Sequence, residues 1–178
     1  MEQWIDVQTL IWLFPIIFVL HDFEEIIMVE KWMRKNSDVI HKKLPRKIAN
    51  RLIKQFSMST AQFSVSVLVI FLFVSSSTYM ASQYVNHGSL SNIHLFTVFI
   101  MIFFLHVFTH IGQSIFFRSI TPGVITSIVI VFPYCTVLLN SLFKSQVISW
   151  NTIFFSLPFV ILIIPIILIA HWIGKKVV

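Results

Sequence analysis

The chain reads as long apolar runs separated by short polar ones. The first run covers about residues 4–29, and the others about 56–79, 93–117, 122–142 and 150–173. Each is close to the roughly 20 residues that a helix needs to cross the hydrocarbon core of a bilayer. The pattern predicts an all-α protein: a polytopic membrane helix bundle of about five transmembrane helices, forming a single domain over residues 1–178. The connections after the second run are short, so successive helices should pack antiparallel. Pro15, Pro133, Pro158 and Pro165 fall inside runs, where neighbouring helices and polar side chains satisfy the carbonyls that a proline frees.

Composition and charge add location. With 57% hydrophobic and 11% charged residues among 178, a soluble globular domain is excluded. The net charge of +6 alone would suggest nucleic acid, but nine of the thirteen Lys and Arg residues lie between Lys31 and Lys54, in the one long polar stretch, 30–55. That is the signature of a basic cytoplasmic loop facing anionic lipid headgroups, with no nucleic-acid partner implied. Five spans put twelve of the thirteen basic residues on one side and only Lys144 on the other. The expected topology in the cell membrane is N-terminus out and C-terminus in. Within the basic stretch, Pro45 can open a short helix with Leu44, Ile48 and Leu52 on one face, suited to a membrane surface. Trp4, Trp12 and Trp32 are candidate interfacial anchors. The first run lacks the basic leader and small-residue cleavage site of a signal peptide, so it is expected to be retained. Cys135, the single cysteine, belongs to no disulfide or CxxC motif.

All seven acids precede residue 39. Three of them, Asp22, Glu24 and Glu25, interrupt the first span, where a charged group costs about 2.5–3.5 kcal/mol on insertion scales and therefore usually has a partner and a task. At about 100° per residue, His21, Glu24 and Glu25 form one stripe and Asp22 points elsewhere. The third span offers a matching face: His106, Thr109, His110 and Gln113 follow i, i+3, i+4, i+7 spacing, and two imidazoles four residues apart can share one metal. Both spans run inward, and the two groups agree in depth to within a few ångströms. His21, Glu25, His106 and His110 are the candidate ligands of a divalent metal, zinc first, with iron or manganese as alternatives. Glu24 is the candidate general base. His41, His87, His94 and His171 are not counted as ligands. At the head of the fourth span, Thr121 as N-cap, Pro122 at the first helical position, Arg118 and Gln113 suggest a site for an anion or substrate headgroup. The polar start of the second run (Gln55, Ser57, Ser59, Thr60, Gln62, Ser64, Ser66) should line the same cavity or bond across helices.

His21-Asp22-Phe23-Glu24-Glu25 fits H-x-x-E-E, and with His110, Gln113, Arg118 and Thr121-Pro122-Gly123 in order behind it, the chain resembles the HXXEE family of small integral membrane proteins, whose function is not established. The resemblance makes His110 the counterpart of the family's later histidine. The chain departs from the family's Y-x-P-G pattern at Ile120, and carries His106 where asparagine is expected in relatives.

Two functional classes follow. One is a membrane-embedded metal-dependent enzyme, a hydrolase before an isomerase or cyclase, acting on a lipid or other amphiphile from the cytoplasmic half of the bilayer. The other is a small transporter or proton- or ion-coupled carrier using the same cluster, with oligomerisation supplying what one chain lacks. The plainest alternative is a non-catalytic membrane protein with a hydrogen-bonded polar core.

Overall fold

The computed structural model describes residues 6–177, which fold into six helices without a strand among them. Glu2, Trp4 and the first residues of the predicted first span lie outside the described residues. Helix α1 spans Val7–Lys43, α2 Arg46–Phe56, α3 Thr60–Val85 and α4 Ile93–Phe117. Helix α5, Val124–Lys144, contains a π-helical turn at Ser127–Val131, and α6, Trp150–Val177, contains a 3-10 turn at Leu157–Phe159. Helices α3, α4, α5 and α6 are long and apolar enough to cross a membrane. Helix α1 runs alongside them, with its polar group His21 to Glu25 midway along.

Cross-helix contacts set the directions. Gln8 meets Ser82 and Glu30 meets Thr60, so α1 and α3 are antiparallel. Phe14 packs on Phe96 and Trp32 on Phe117, so α1 and α4 run the same way. The Tyr134 hydroxyl donates to the Leu10 carbonyl at 2.8 Å while Glu24 meets Thr126, which makes α5 antiparallel to α1. His94 bonds Ser156 at 3.0 Å, aligning α6 with α4. Gly174 lets α6 approach α3 closely, because a Cβ there would lie 2.2 Å from the Ser66 hydroxyl and 2.4 Å from the Gln62 carbonyl oxygen.

The stretch expected as a basic loop is helical. Helix α1 continues through it to Lys43, with no proline or glycine between Glu30 and Pro45 to stop it and a Glu30 to Arg34 ion pair at i, i+4 supporting the continuation. Pro45 then opens α2, as the sequence suggested. Helix α3 starts at Thr60 because Ser59 and Gln62 form a capping box. Its serines mostly bond within their own helix, Ser64 to the Thr60 carbonyl and Ser66 to the Gln62 carbonyl.

The acids of α1 hold the bundle's helix starts. Asp6 caps α1 itself, accepting from the Thr9 N–H at 2.8 Å. Glu30 accepts from the N–H and hydroxyl of Thr60 at the start of α3, both at 2.7 Å. Glu24 does the same for α5. Negative groups at helix N-termini satisfy otherwise unpaired N–H groups and complement the helix dipole.

Candidate metal centre

The centre is built where α1, α4 and the start of α5 meet. His21 and Glu25 are one helical turn apart on α1, and His106 and His110 one turn apart on α4. The Glu25 Oε1 lies 3.0 Å from His110 Nε2, 3.7 Å from His106 Nε2 and 4.0 Å from His21 Nε2, and the two α4 histidines are 2.7 Å apart through their Nε2 atoms. One ligand atom from each of the four residues lies within 4.8 Å of the other three. For metal–ligand bonds of about 2.0–2.1 Å, a tetrahedron has edges of about 3.3 Å, which these separations bracket. The four side chains together could hold a metal ion.

The surrounding hydrogen bonds fix which nitrogens are free. The Thr126 hydroxyl donates to Glu24 Oε2 at 2.6 Å and lies 2.9 Å from His21 Nδ1. Its single proton is committed to the carboxylate, so it accepts from the Nδ1–H of His21. The Nε2 lone pair of His21 then points into the cluster, buried and without a hydrogen-bond partner. In the same way the Thr109 hydroxyl donates to the His106 carbonyl at 2.6 Å and accepts from His106 Nδ1 at 3.2 Å, which leaves the Nε2 lone pair of His106 turned to His110 Nε2, 2.7 Å away. Outer groups that orient ligand imidazoles in this way are characteristic of metal sites. The unpaired His21 Nε2 is an acceptor that a cation in the cluster would satisfy.

Gly123 completes the packing. Its φ is +81°, and a Cβ there would sit 2.6 Å from His110 Cε1 and 3.0 Å from Glu25 Oε1. The turn before α5 therefore lies directly over these two side chains, and only glycine fits it.

The profile of a family described as "Protein of unknown function with HXXEE motif" matches residues 12–138, a stretch that contains all four clustered side chains. The chain belongs to the HXXEE family. No curated protein and no solved structure matches it.

In this HXXEE protein the residues of the motif have two destinations. His21 and Glu25 enter the cluster, whereas Glu24, the expected general base, faces α5. Its carboxylate accepts from the Ile125 N–H at 3.2 Å, the Thr126 N–H at 2.7 Å and the Thr126 hydroxyl. Three hydrogen bonds make it an anchor for α5 and, through Thr126, a positioning group for His21. Asp22 stays out of the four-residue cluster, as the helix wheel had it, but it is buried and lines a cavity beside His21 and Glu25 with its Oδ2 unpaired.

The expected anion site does not assemble. Helix α5 begins at Val124, two residues later than expected, and Gly123 occupies its N-cap position. Glu24 takes the N–H groups that would have faced an anion. Thr121 is buried, with its hydroxyl directed to the His110 carbonyl at 3.4 Å. Arg118 is exposed, as a left-handed cap at the end of α4. Gln113 and Thr121 instead line a cavity of about 290 Å³ that reaches Glu25, His106 and His110 from the α2 side. Of the histidines set aside, His94 bonds Ser156, and His41 sits in the last turn of α1. His171 bonds Gln55 at 2.5 Å and lines the cavity that contains Asp22.

Proposed function

We propose that this chain is a membrane-embedded metal-dependent enzyme that acts on the polar end of a lipid or other amphiphile. The observation that carries this reading is a cavity of about 260 Å³ whose wall is mostly apolar but ends on His21, Asp22, Glu25 and His106. An apolar pocket with a few convergent polar groups is the usual form of a small-molecule site. His21, Glu25, His106 and His110 would hold the cation, zinc before iron or manganese. The cation would supply Lewis acidity. Thr126 and Glu24 keep His21 in the required tautomer, and the phenylalanines of the wall exclude bulk water. Of the four, His106 has the most exposed side chain, 42% against at most 15% for the others, and is the one that a substrate would meet first. Hydrolysis is the favoured chemistry because it needs no further cofactor. The cluster lies toward the basic segment, Glu25 being about 9 Å along α1 from Lys31, which supports access from the cytoplasmic half of a cell membrane.

The test is conversion of a total membrane-lipid extract by reconstituted protein loaded with zinc, manganese or iron, followed by mass spectrometry. Metal-dependent product that Glu25→Gln abolishes is the expected result. A second reading, an ion-coupled carrier, draws on the two cavities that share Glu25 and His106 on either side of the cluster. Glu25-dependent ion flux into proteoliposomes without any turnover would favour it and sink the enzyme.

A further inference from the structure

The cavity beside the cluster has a direction, and its two ends differ. Along α1 its wall runs from Phe14 to Glu25, and along the antiparallel α3 from Val74 to Phe63. Each distance is eleven residues, about 16 Å of helix. On α4 and α6 the wall runs from Phe99 to His106 and from Ile163 to His171. All four helices therefore agree on polarity. Phe14, Val74, Phe99 and Ile163 form one end, and Glu25, His106 and His171 the other. The apolar end is sealed, with Phe14 and Val74 each 1% exposed and Phe14 packed edge-on against Phe96 and Phe103. A space of about 260 Å³ stretched over that length is narrow, and it falls below the roughly 300–1,000 Å³ of ordinary ligand pockets.

Two buried polar atoms at the cluster end have no partner in the protein, Asp22 Oδ2 and His21 Nε2. Asp22 is 7% exposed and lines the cavity. An unsatisfied buried carboxyl oxygen calls for a hydrogen-bonding group supplied from the cavity. Among the described residues no Lys or Arg lines this space, while Asp22 and Glu25 both do. Asp22 stands outside the four side chains that could hold a cation, so an anionic headgroup beside it would meet a carboxylate that no basic side chain compensates.

From this geometry we infer that the cavity is a blind tunnel for one hydrocarbon chain, whose neutral, hydroxyl-like polar end reaches Asp22 and the histidine cluster. This deepens the proposed function by naming its substrate class: a single-chain neutral amphiphile, not a two-chain phospholipid. The chain enters tail first and stops against Phe14 and Val74, so the tunnel measures chain length. Each buried methylene contributes about a fourfold gain in affinity until the blind end is reached, and none beyond it.

The test uses the full-length protein in lipid nanodiscs and a series of 1-alkanols carrying a diazirine at the tail carbon. Photolabelling should saturate, map to Phe14, Val74, Phe99 and Ile163, and show a sharp chain-length limit. Val74→Trp, which fills the blind end, should shorten that limit by several carbons while leaving shorter alcohols unaffected. Ile70→Trp, one turn nearer the cluster, should shorten it further and serves if the first variant does not fold. Non-saturating label on outward positions such as Leu72, Leu105 and Ile161 would overturn the inference. So would a limit that neither folded variant moves, or equal competition by a diacylglycerol. Labelling of the wild-type protein with its metal and after chelation, beside elemental analysis of the same samples, separates the two readings, because tail binding should persist without metal. Tunnel labelling in a protein that binds no metal refutes only the enzyme reading, and a metal-loaded protein without tunnel labelling refutes only the tunnel.

Discussion

Replacing Gly123 by alanine should disrupt the cluster while leaving all four of its side chains in the sequence. The residue sits at φ +81°, where a side chain costs about 1–2 kcal/mol. The added methyl would meet His110 Cε1 at 2.6 Å and Glu25 Oε1 at 3.0 Å, against an ordinary carbon contact of about 3.5–4.0 Å. The His110 ring must therefore retreat by about 1 Å, whereas metal–ligand distances tolerate about 0.2 Å. Overpacking of this kind adds about 1–3 kcal/mol, for a total of about 2–5 kcal/mol. Gly112 provides the control, since a Cβ there meets nothing within 4 Å, and alanine in that helix interior should stabilise by about 0.5–1 kcal/mol. Thermal unfolding in detergent and zinc competition against a chelator give the two readouts. Gly123→Ala should lose on both and Gly112→Ala on neither. Wild-type stability and zinc affinity in Gly123→Ala would refute the placement of the turn over the ligands.

Three further outcomes are expected. Thr126→Val removes the acceptor that fixes the His21 tautomer, and should weaken metal binding by about 10–100-fold, with Thr126→Ser restoring it; chelator competition measures both. Gly174→Leu drives a side chain into Ser66 and the Gln62 carbonyl, and should lower the unfolding temperature by separating α6 from α3, whereas Ser66→Ala, which creates no clash, should leave it nearly unchanged. Glu30 has its carboxyl held below the usual carboxylate range, first by the Thr60 hydroxyl and N–H and then by Arg34. A depressed folded value means that its contribution to stability is full above the ordinary Glu pKa of about 4.3 and disappears as pH falls through the folded value. The stability gap between wild type and Glu30→Gln should be flat from about pH 6 to 8 and close below about pH 4; a gap independent of pH would contradict the capping role.

Periodicity made much of the cluster legible. Helix α4 occupies the same residues, 93–117, that the apolar run marked, so its His106 and His110 face could be read directly. Shared direction then put that face level with His21 and Glu25. The sequence could not show which neighbour each flank of α1 meets. A helix wheel gives angles about one axis only, and Glu24, about 60° to one side of His21, meets α5, while Asp22, about 100° to the other side, meets the cavity. The start of α3 was legible in principle from Ser59-x-x-Gln62, but the polar run around it reads equally well as loop. The extension of α1 to Lys43 was hidden because clustered positive charge marks a side of the membrane without ending a helix. The start of α5 is set by a carboxylate about a hundred residues earlier, Glu24 to Thr126, a contact that no local pattern carries.

His21, Glu25, His106 and His110 are proposed to bind one metal ion. Elemental analysis of protein purified without chelators, beside Glu25→Gln and His110→Ala, tests it most directly. One divalent metal per folded wild-type chain, lost or sharply reduced in both variants, is the predicted result. A wild type without metal that takes up none on incubation with zinc, manganese or iron, or two variants that keep the full complement, would contradict it.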